Sequence, residues 1–331
     1  MLDLLSPDSK IAAFPDEGRE VLPPLLVLLA APRGFCAGVT RAIDAVETAL
    51  ERFGAPVYVR RAIVHNLAVV RSLEAKGAIF VQELDEVPDG AVVILSAHGV
   101  APGVVAEAER RKHRFFDAVC PLVAKVHREV VRHHRAGRHV ILIGHEGHPE
   151  MVGTLGHLPR EAATLVGTAA DVEALRLPRD LPVAYAIQTT YSVNEARGIV
   201  TAIEARFSDL EGPRGSDICY ATTNRQAAVK TLAPRVDAML VAGENFSSNA
   251  CRLAEVAKAF GCPSVQLVAE ASHVDWSLLT RIRTIAITSA ASTPESTVSG
   301  IIAALSSRFE VRVEEVEHLA ERTLFKPVGI N

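Results

Sequence analysis

Short apolar runs recur along this chain, each closed by a polar loop and followed by a stretch with helical spacing. The runs Leu25–Ala31, Val57–Val64, Ala91–Leu95, Phe115–Val119, Val140–Ile143, Val183–Ile187, Ala238–Val241 and Thr284–Ile287 read as strands. The stretches Ala42–Phe53, Leu122–Arg135, Thr223–Leu232, Arg252–Phe260 and Ser299–Phe309 read as helices. Strands alternating with helices in this way predict an α/β protein.

The layout repeats three times, although the copies share little sequence. Each copy opens with a cysteine where a helix begins: Cys36 after PRGF, Cys120 before Pro121, and Cys219 after Asp217-Ile218. Pro121 is the favoured first-turn proline of a helix. The cysteines stand about one small α/β domain apart. This predicts an N-terminal extension over 1–23, three similar α/β domains over 24–118, 119–217 and 218–310, and a tail over 311–331. Two strand–loop–helix units follow each cysteine. Their loops are His65-Asn66 and Ser96–Gly99, then Gly144–Glu150 and Gln188–Thr190, then Gly243–Asn249 and Thr288–Ser292. Ligands of open α/β sheets bind outside the carboxyl ends of strands, so three such domains can turn these loops and cysteines toward one centre.

The length of 331 residues agrees with two or three domains. A net charge of −4 offers no basic field, which argues against nucleic acid or an anionic membrane as partner. The apolar stretch Val21–Ala31 holds two prolines and is too short to span a bilayer. Acidic residues Asp3, Asp8, Asp16, Glu17 and Glu20 precede it, so no signal peptide is expected and the chain is placed in the cytoplasm. Five scattered cysteines do not make a disulfide framework and suit metal or redox chemistry better.

Thiolates at helix N-termini are favoured by the helix dipole and free N–H groups. One from each domain would hold three irons of a cubane cluster and leave a fourth iron open to substrate; the alternative is three unrelated, partly buried thiols. Cys251 and Cys262 lie outside the repeat and read as ordinary thiols. His65, His98 and His148 sit on strand-end loops, either as donors to a phosphate or as staples to nearby carbonyls. His145 shares the His148 loop and is ambiguous. His113, His127, His133, His134, His139 and His157 fall in helical or charged stretches and are expected at the solvated surface. Ser247-Ser248-Asn249 and Ser292 precede helices, where they serve as anion donors or as plain N-caps; Gln188-Thr189-Thr190 has the same two readings. Glu150 is the candidate general acid, with Glu146 in the same loop as its competitor.

The segments PRGFCAGV (Pro32–Val39), VHN (Val64–Asn66), SAHG (Ser96–Gly99), CPLVAKVH (Cys120–His127), IGHEGHPE (Ile143–Glu150), QTT (Gln188–Thr190), DICYATTNRQ (Asp217–Gln226) and SSN (Ser247–Asn249) occur in order. Together they resemble the 4-hydroxy-3-methylbut-2-enyl diphosphate reductase (IspH or LytB) family. The resemblance implies three domains in a pseudo-threefold arrangement around one central [4Fe–4S] cluster, held by Cys36, Cys120 and Cys219 with one iron open. It implies diphosphate binding by His65, His98, His148, Thr189, Ser247, Ser248, Asn249 and Ser292, and catalytic roles for Glu150 and Thr189. The implied reaction removes the hydroxyl of an allylic diphosphate to give isopentenyl and dimethylallyl diphosphate, the last step of non-mevalonate isoprenoid synthesis. A ferredoxin- or flavodoxin-type protein is the implied electron donor. Two rival readings are a thiol-ligated zinc or redox-sensing protein that binds phosphates without turnover, and a phosphate-binding regulatory module. Against the second, the chain has neither a Walker A sequence nor a G-x-G-x-x-G after a strand.

Overall fold

The computed structural model describes residues 22–330. The expected extension, 1–23, lies outside them apart from Leu22 and Pro23. The chain opens with β1 (Pro24–Ala31), α1 (Ala37–Phe53), β2 (Val57–Arg60), α2 (Leu67–Ala75), β3 (Ala78–Val81), β4 (Val92–Leu95), α3 (Pro102–Arg110) and β5 (Arg114–Asp117). It continues with α4 (Pro121–Arg135), β6 (His139–Ile143), α5 (Pro149–Leu155), β7 (Ala163–Val166), α6 (Ala169–Ala174), β8 (Val183–Ile187), α7 (Val193–Arg206) and β9 (Leu210–Glu211). It ends with α8 (Tyr220–Leu232), β10 (Ala238–Ala242), α9 (Ser248–Ala259), β11 (Ser264–Val268), β12 (Thr284–Ser289), α10 (Glu295–Ser306) and β13 (Glu310–Glu317).

These strands form three sheets, ordered β3-β2-β4-β5, β7-β6-β8-β9 and β11-β10-β12-β1-β13. Every pairing is parallel. The central strands are therefore covered on both faces and read as unbroken apolar runs, such as Val-Val-Ile-Leu in β4. The sheets share one order: the first strand of each copy lies second, its successor at the edge, its third beside it, and the strand leading to the next cysteine beyond that. In the third sheet that last place is filled by β1, from the other end of the chain.

This corrects two expectations. Pro24–Ala31 belongs to the third sheet rather than to the first domain: it pairs with β12 and β13, and Leu25, Val27 and Leu29 bury against Leu240, Ile285 and Ile287. An apolar run states that a strand is buried but not which strand it will join. The stretch after 310 is likewise not simply a tail. Glu310–Glu317 runs beside β1 from Pro24↔Glu310 to Ala31↔Glu317. Its apolar positions are only Val311, Val313 and Val316 among charges, a composition that blunts an exposed edge and hides a strand from pattern reading. The chain then crosses to the first sheet, where Ile330 buries with Val57 and Ile94.

Two further differences are local. The run Val57–Val64 stops as a strand at Arg60, because Arg61 takes φ of 58° and turns the backbone. His113, His127 and His133 are buried rather than solvated. The last two continue the buried stripe Val123, Val126, Val130 of α4 at helical spacing. His133 lies between Glu129 and Glu211, and His127 stacks on His157 with ring centroids 4.2 Å apart.

Each cysteine marks a passage between sheets. The chain leaves β1 in the third sheet through Cys36 for α1, which packs on β2 and β4 of the first. It leaves β5 through Cys120 for α4, which packs on β6 and β8 of the second, and leaves β9 through Cys219 for α8, which packs on β1 and β12. At the first passage the backbone of Gly38, in α1, approaches Cys120 closely. A Cβ there would lie 2.8 Å from Cys120 Sγ and 3.8 Å from Cys36 Sγ.

This contact sets opposite signs for two glycine-to-alanine changes. Gly300 in α10 has nothing within 4 Å of its would-be Cβ, so Gly300→Ala should stabilise by ~0.5–1 kcal/mol through helix propensity. Gly38→Ala should instead destabilise by ~1–3 kcal/mol through overpacking. Denaturant midpoints of the two variants decide it; a stabilised Gly38→Ala would contradict the close approach.

Candidate active site

Cys36, Cys120 and Cys219 are each the N-cap residue of their helix, with extended backbone. All three line one cavity of about 110 Å³. The same cavity is lined by His65, His98 and His148, by Glu150 and Thr189, and by Ser247, Ser248, Asn249 and Ser292. Every residue that the resemblance implies as a ligand, donor or acid is thus brought to one place. Cys251 stands apart, in an outer recess lined also by Glu146, Phe246 and Arg252. Cys262 is buried in the core of the third sheet. Among the described residues no lysine or arginine lines the inner cavity, and Glu150 is its one carboxylate.

Burial sets the charge state of nearly every group here. It pushes the Cys120 thiol up to about 12 and the Cys219 thiol up to about 11. The helix N-termini do not overcome that penalty, contrary to the expectation of dipole-stabilised thiolates. Thr222 still helps Cys219: its N–H donates to Sγ at 3.4 Å and its hydroxyl lies 3.2 Å away. A bound cation is what deprotonates such thiols. Among the described residues no set of three His, Cys, Asp or Glu stands close enough to hold one metal ion. One ion needs all its ligands within ~2.0–2.3 Å, whereas each iron of a cluster takes its own thiolate and the sulfurs stand further apart. Cys36 and Cys120 Sγ lie within 4 Å of a common point above Gly38 that a side chain would fill. Three thiols around a space with no competing cation suit an iron–sulfur cluster better than a single ion.

The three histidines form one aromatic group. His65 and His98 stack with centroids 4.2 Å apart, and His148 meets both edge-on at 5.3 and 5.9 Å. Burial lowers His65 to about 4; burial and then its histidine neighbours lower His148 to about 3; His98 is held well below the usual range by the same causes and by Arg61. All three are neutral imidazoles in the free cavity. His148 Nδ1 accepts from Glu150 N at 3.2 Å as the cap of α5, so its proton sits on Nε2, free to donate. His98 Nδ1 is buried with no partner among the described residues.

Glu150 is 1 % exposed in the first turn of α5. Thr189 clamps it: its N–H donates to Oε1 and its hydroxyl to Oε2, both at 2.7 Å. Burial raises the carboxyl to about 7, the two Thr189 bonds oppose the rise, and Asp217 adds to it. Glu146 is exposed, which separates it from Glu150 where the sequence could not.

The third-domain loops are tied across the cavity. Ser292 Oγ donates to His65 O at 3.1 Å, and Asn249 Oδ1 accepts from Ala291 N at 3.0 Å. Thr190 and Gln188 both donate to Ser248 Oγ, at 3.2 Å each. Thr190, read from the sequence with Gln188 and Thr189 as an anion donor or a cap, lines the cavity, and so does Thr222, which was not singled out. The signal for Thr222 was available: it lies three residues after Cys219, where an N-cap side chain meets the backbone.

The model of the family described as LytB protein matches residues 27–306. A 4-hydroxy-3-methylbut-2-enyl diphosphate reductase of Beijerinckia indica is 55 % identical over 304 residues, spanning 92 % of this chain and 95 % of its own. The reductase of that name from Ruegeria pomeroyi is 54 % identical, over 92 % and 96 %. The solved structure of E-1-hydroxy-2-methyl-but-2-enyl-4-diphosphate reductase from Plasmodium falciparum is similar at a TM-score of 0.89 and 36 % identity, covering 92 % of this chain and 96 % of that one. With the family's model matched over most of its length and relatives above half identity, this chain belongs to the LytB family.

Proposed function

We propose that this protein reduces (E)-4-hydroxy-3-methylbut-2-enyl diphosphate to isopentenyl and dimethylallyl diphosphate, closing the non-mevalonate route. The allylic alcohol, two electrons and two protons give the alkene and water. The observation that carries the reading is the meeting of three N-cap thiols, three neutral histidines and one buried acid in a single cavity. A [4Fe–4S] cluster on Cys36, Cys120 and Cys219 would supply the electrons and, at an iron with no protein ligand, a Lewis acid for the hydroxyl. The rest of the chemistry falls to the chain. Ser247, Ser248, Asn249 and Ser292 would hold the diphosphate through neutral donors, and His65, His98 and His148 through their imidazoles. Thr189 would order the substrate hydroxyl, and Glu150 would deliver the proton that lets the oxygen leave as water. The proposal includes a ferredoxin- or flavodoxin-type donor, a cytoplasmic location, and three domains with β1 and β13 completing the third. No helix among the described residues is long and apolar enough to cross a membrane.

Anaerobic purification with iron and acid-labile sulfide assays tests the cluster. Cys36→Ser, Cys120→Ser and Cys219→Ser should each lose it. Cys251→Ser and Cys262→Ser should keep it, since one thiol donates to Asn245 O in the outer recess and the other is buried elsewhere. A colourless wild type without sulfide would favour the zinc or thiol reading.

Glu150 carries its proton below about 7 and loses it as pH rises through that value, so turnover should fall on the alkaline side. Glu150→Gln should lower turnover by ~10²-fold or more and erase that limb, while the cluster spectrum and substrate binding persist. Glu146→Gln is the control; collapse there with normal Glu150→Gln would reverse the assignment.

Substrate binding should take up protons near neutral pH. His65 at about 4 and His148 at about 3 are neutral in the free cavity, and a bound anion raises both. Affinity should therefore rise as pH falls. Calorimetry in buffers of different ionisation heat measures the uptake; none, or net release, would contradict the neutral-histidine site.

A further inference from the structure

Asn224, Arg225 and Gln226 end the motif that carries Cys219, about two turns along α8. None of them lines the inner cavity. Arg225 and Gln226 are nonetheless completely buried. Arg225 Nη2 donates to Gly34 O at 2.8 Å and Arg33 O at 3.4 Å; Nη1 donates to Ala221 O at 3.0 Å and Glu321 Oε1 at 2.9 Å. Asn224 also donates to Glu321, at 3.1 Å. Gln226 reaches the second domain, donating to Tyr191 O and accepting from Val193 N, both at 3.1 Å.

A buried guanidinium needs a counter-charge, and removing one partner leaves the other stranded. The counter-charge comes from beyond β13, on the segment that crosses back to the first domain. Along that segment Arg41 Nε donates to Lys326 O at 2.9 Å and Arg52 Nη1 to Ile330 O at 2.8 Å. What Arg225 grips is the loop of Cys36. Gly34, two residues before that cysteine, accepts from Arg225, and Ala37 N, one residue after it, donates to Tyr220 Oη at 3.2 Å. α8 therefore carries Cys219 as its own cap and holds the Cys36 loop on both sides.

We propose that Arg225, paired with Glu321, is a positioning residue. It fixes the separation of Cys36 from Cys219, and residues 318–330 form the strap that supplies its counter-charge and holds it in place. The consequence for cluster retention rests on the iron–sulfur reading; the geometry does not.

The test compares wild type, Glu321→Ala and Glu321→Gln. In the metal-free proteins, hydrogen exchange should quicken in Glu321→Ala only over 32–38 and the strap. Glu321→Gln should fall between wild type and Glu321→Ala, because its amide oxygen still accepts from Arg225 and Asn224 but supplies no counter-charge. After anaerobic reconstitution, Glu321→Ala should yield its iron at ~10–100-fold lower chelator concentration, the usual cost of losing an outer partner of a metal ligand. Exchange unchanged over 32–38, exchange raised evenly across all three sheets, or local loosening with unchanged iron retention would each overturn the proposal. Should Glu321→Ala not fold, Arg225→Lys gives the same test, keeping the charge and losing the fork. A wild type that takes up no cluster would instead overturn the iron–sulfur reading and leave the exchange result to judge the pair.

Discussion

Cysteines spaced about one domain apart face a common point here because three separate sheets present them there, and the position of each cysteine makes that possible. Each is the residue at which the chain leaves one sheet and enters the helix of the next. The arrangement closes because β1 returns to complete the third sheet beside β12. The first and last parts of the chain are thereby locked together, and the third passage has the same form as the other two. The polar loops follow from the same geometry, since they lie at the carboxyl ends of parallel strands.

Desolvation then decides the chemistry of the cavity. It raises the Cys120 and Cys219 thiols, lowers the imidazoles and raises the one carboxyl. These shifts look unlike one another but share one direction: each favours the neutral form of its group. A cavity without a lysine or arginine in its walls cannot hold an anion by fixed charge. Its charge must arrive with the metal and the substrate, so binding either is coupled to moving protons. The Thr189 clamp keeps Glu150 from rising further, leaving its proton near the point where it can be given up at neutral pH.

The polar residues that do not enter the cavity are those that hold its walls. Asn224, Arg225 and Gln226 tie α8 to the Cys36 loop, to the second domain and to the segment after β13. Such buried hydrogen-bonded networks specify one arrangement of packed elements more sharply than apolar contacts do. They also explain why a run of long polar side chains persists in the middle of a buried helix.

The sequence by itself determined the alternation of strands and helices, the three cysteines at helix starts and the loops that carry His65, His98, His148 and Glu150. These are local properties: apolar period, caps and turn residues act within a few positions of the chain. The motifs around those residues also named the family. Only the tertiary structure decided that β1 joins the third sheet and that Glu310–Glu317 is a strand, because pairing links residues almost the whole chain apart and the edge strand shows few apolar positions. It alone separated Glu150 from Glu146 and buried His127 and His133. It also reversed the expected ionisation of the thiols, because burial depends on what packs around a group from other elements, and no stretch of sequence around Cys120 or Cys219 records that.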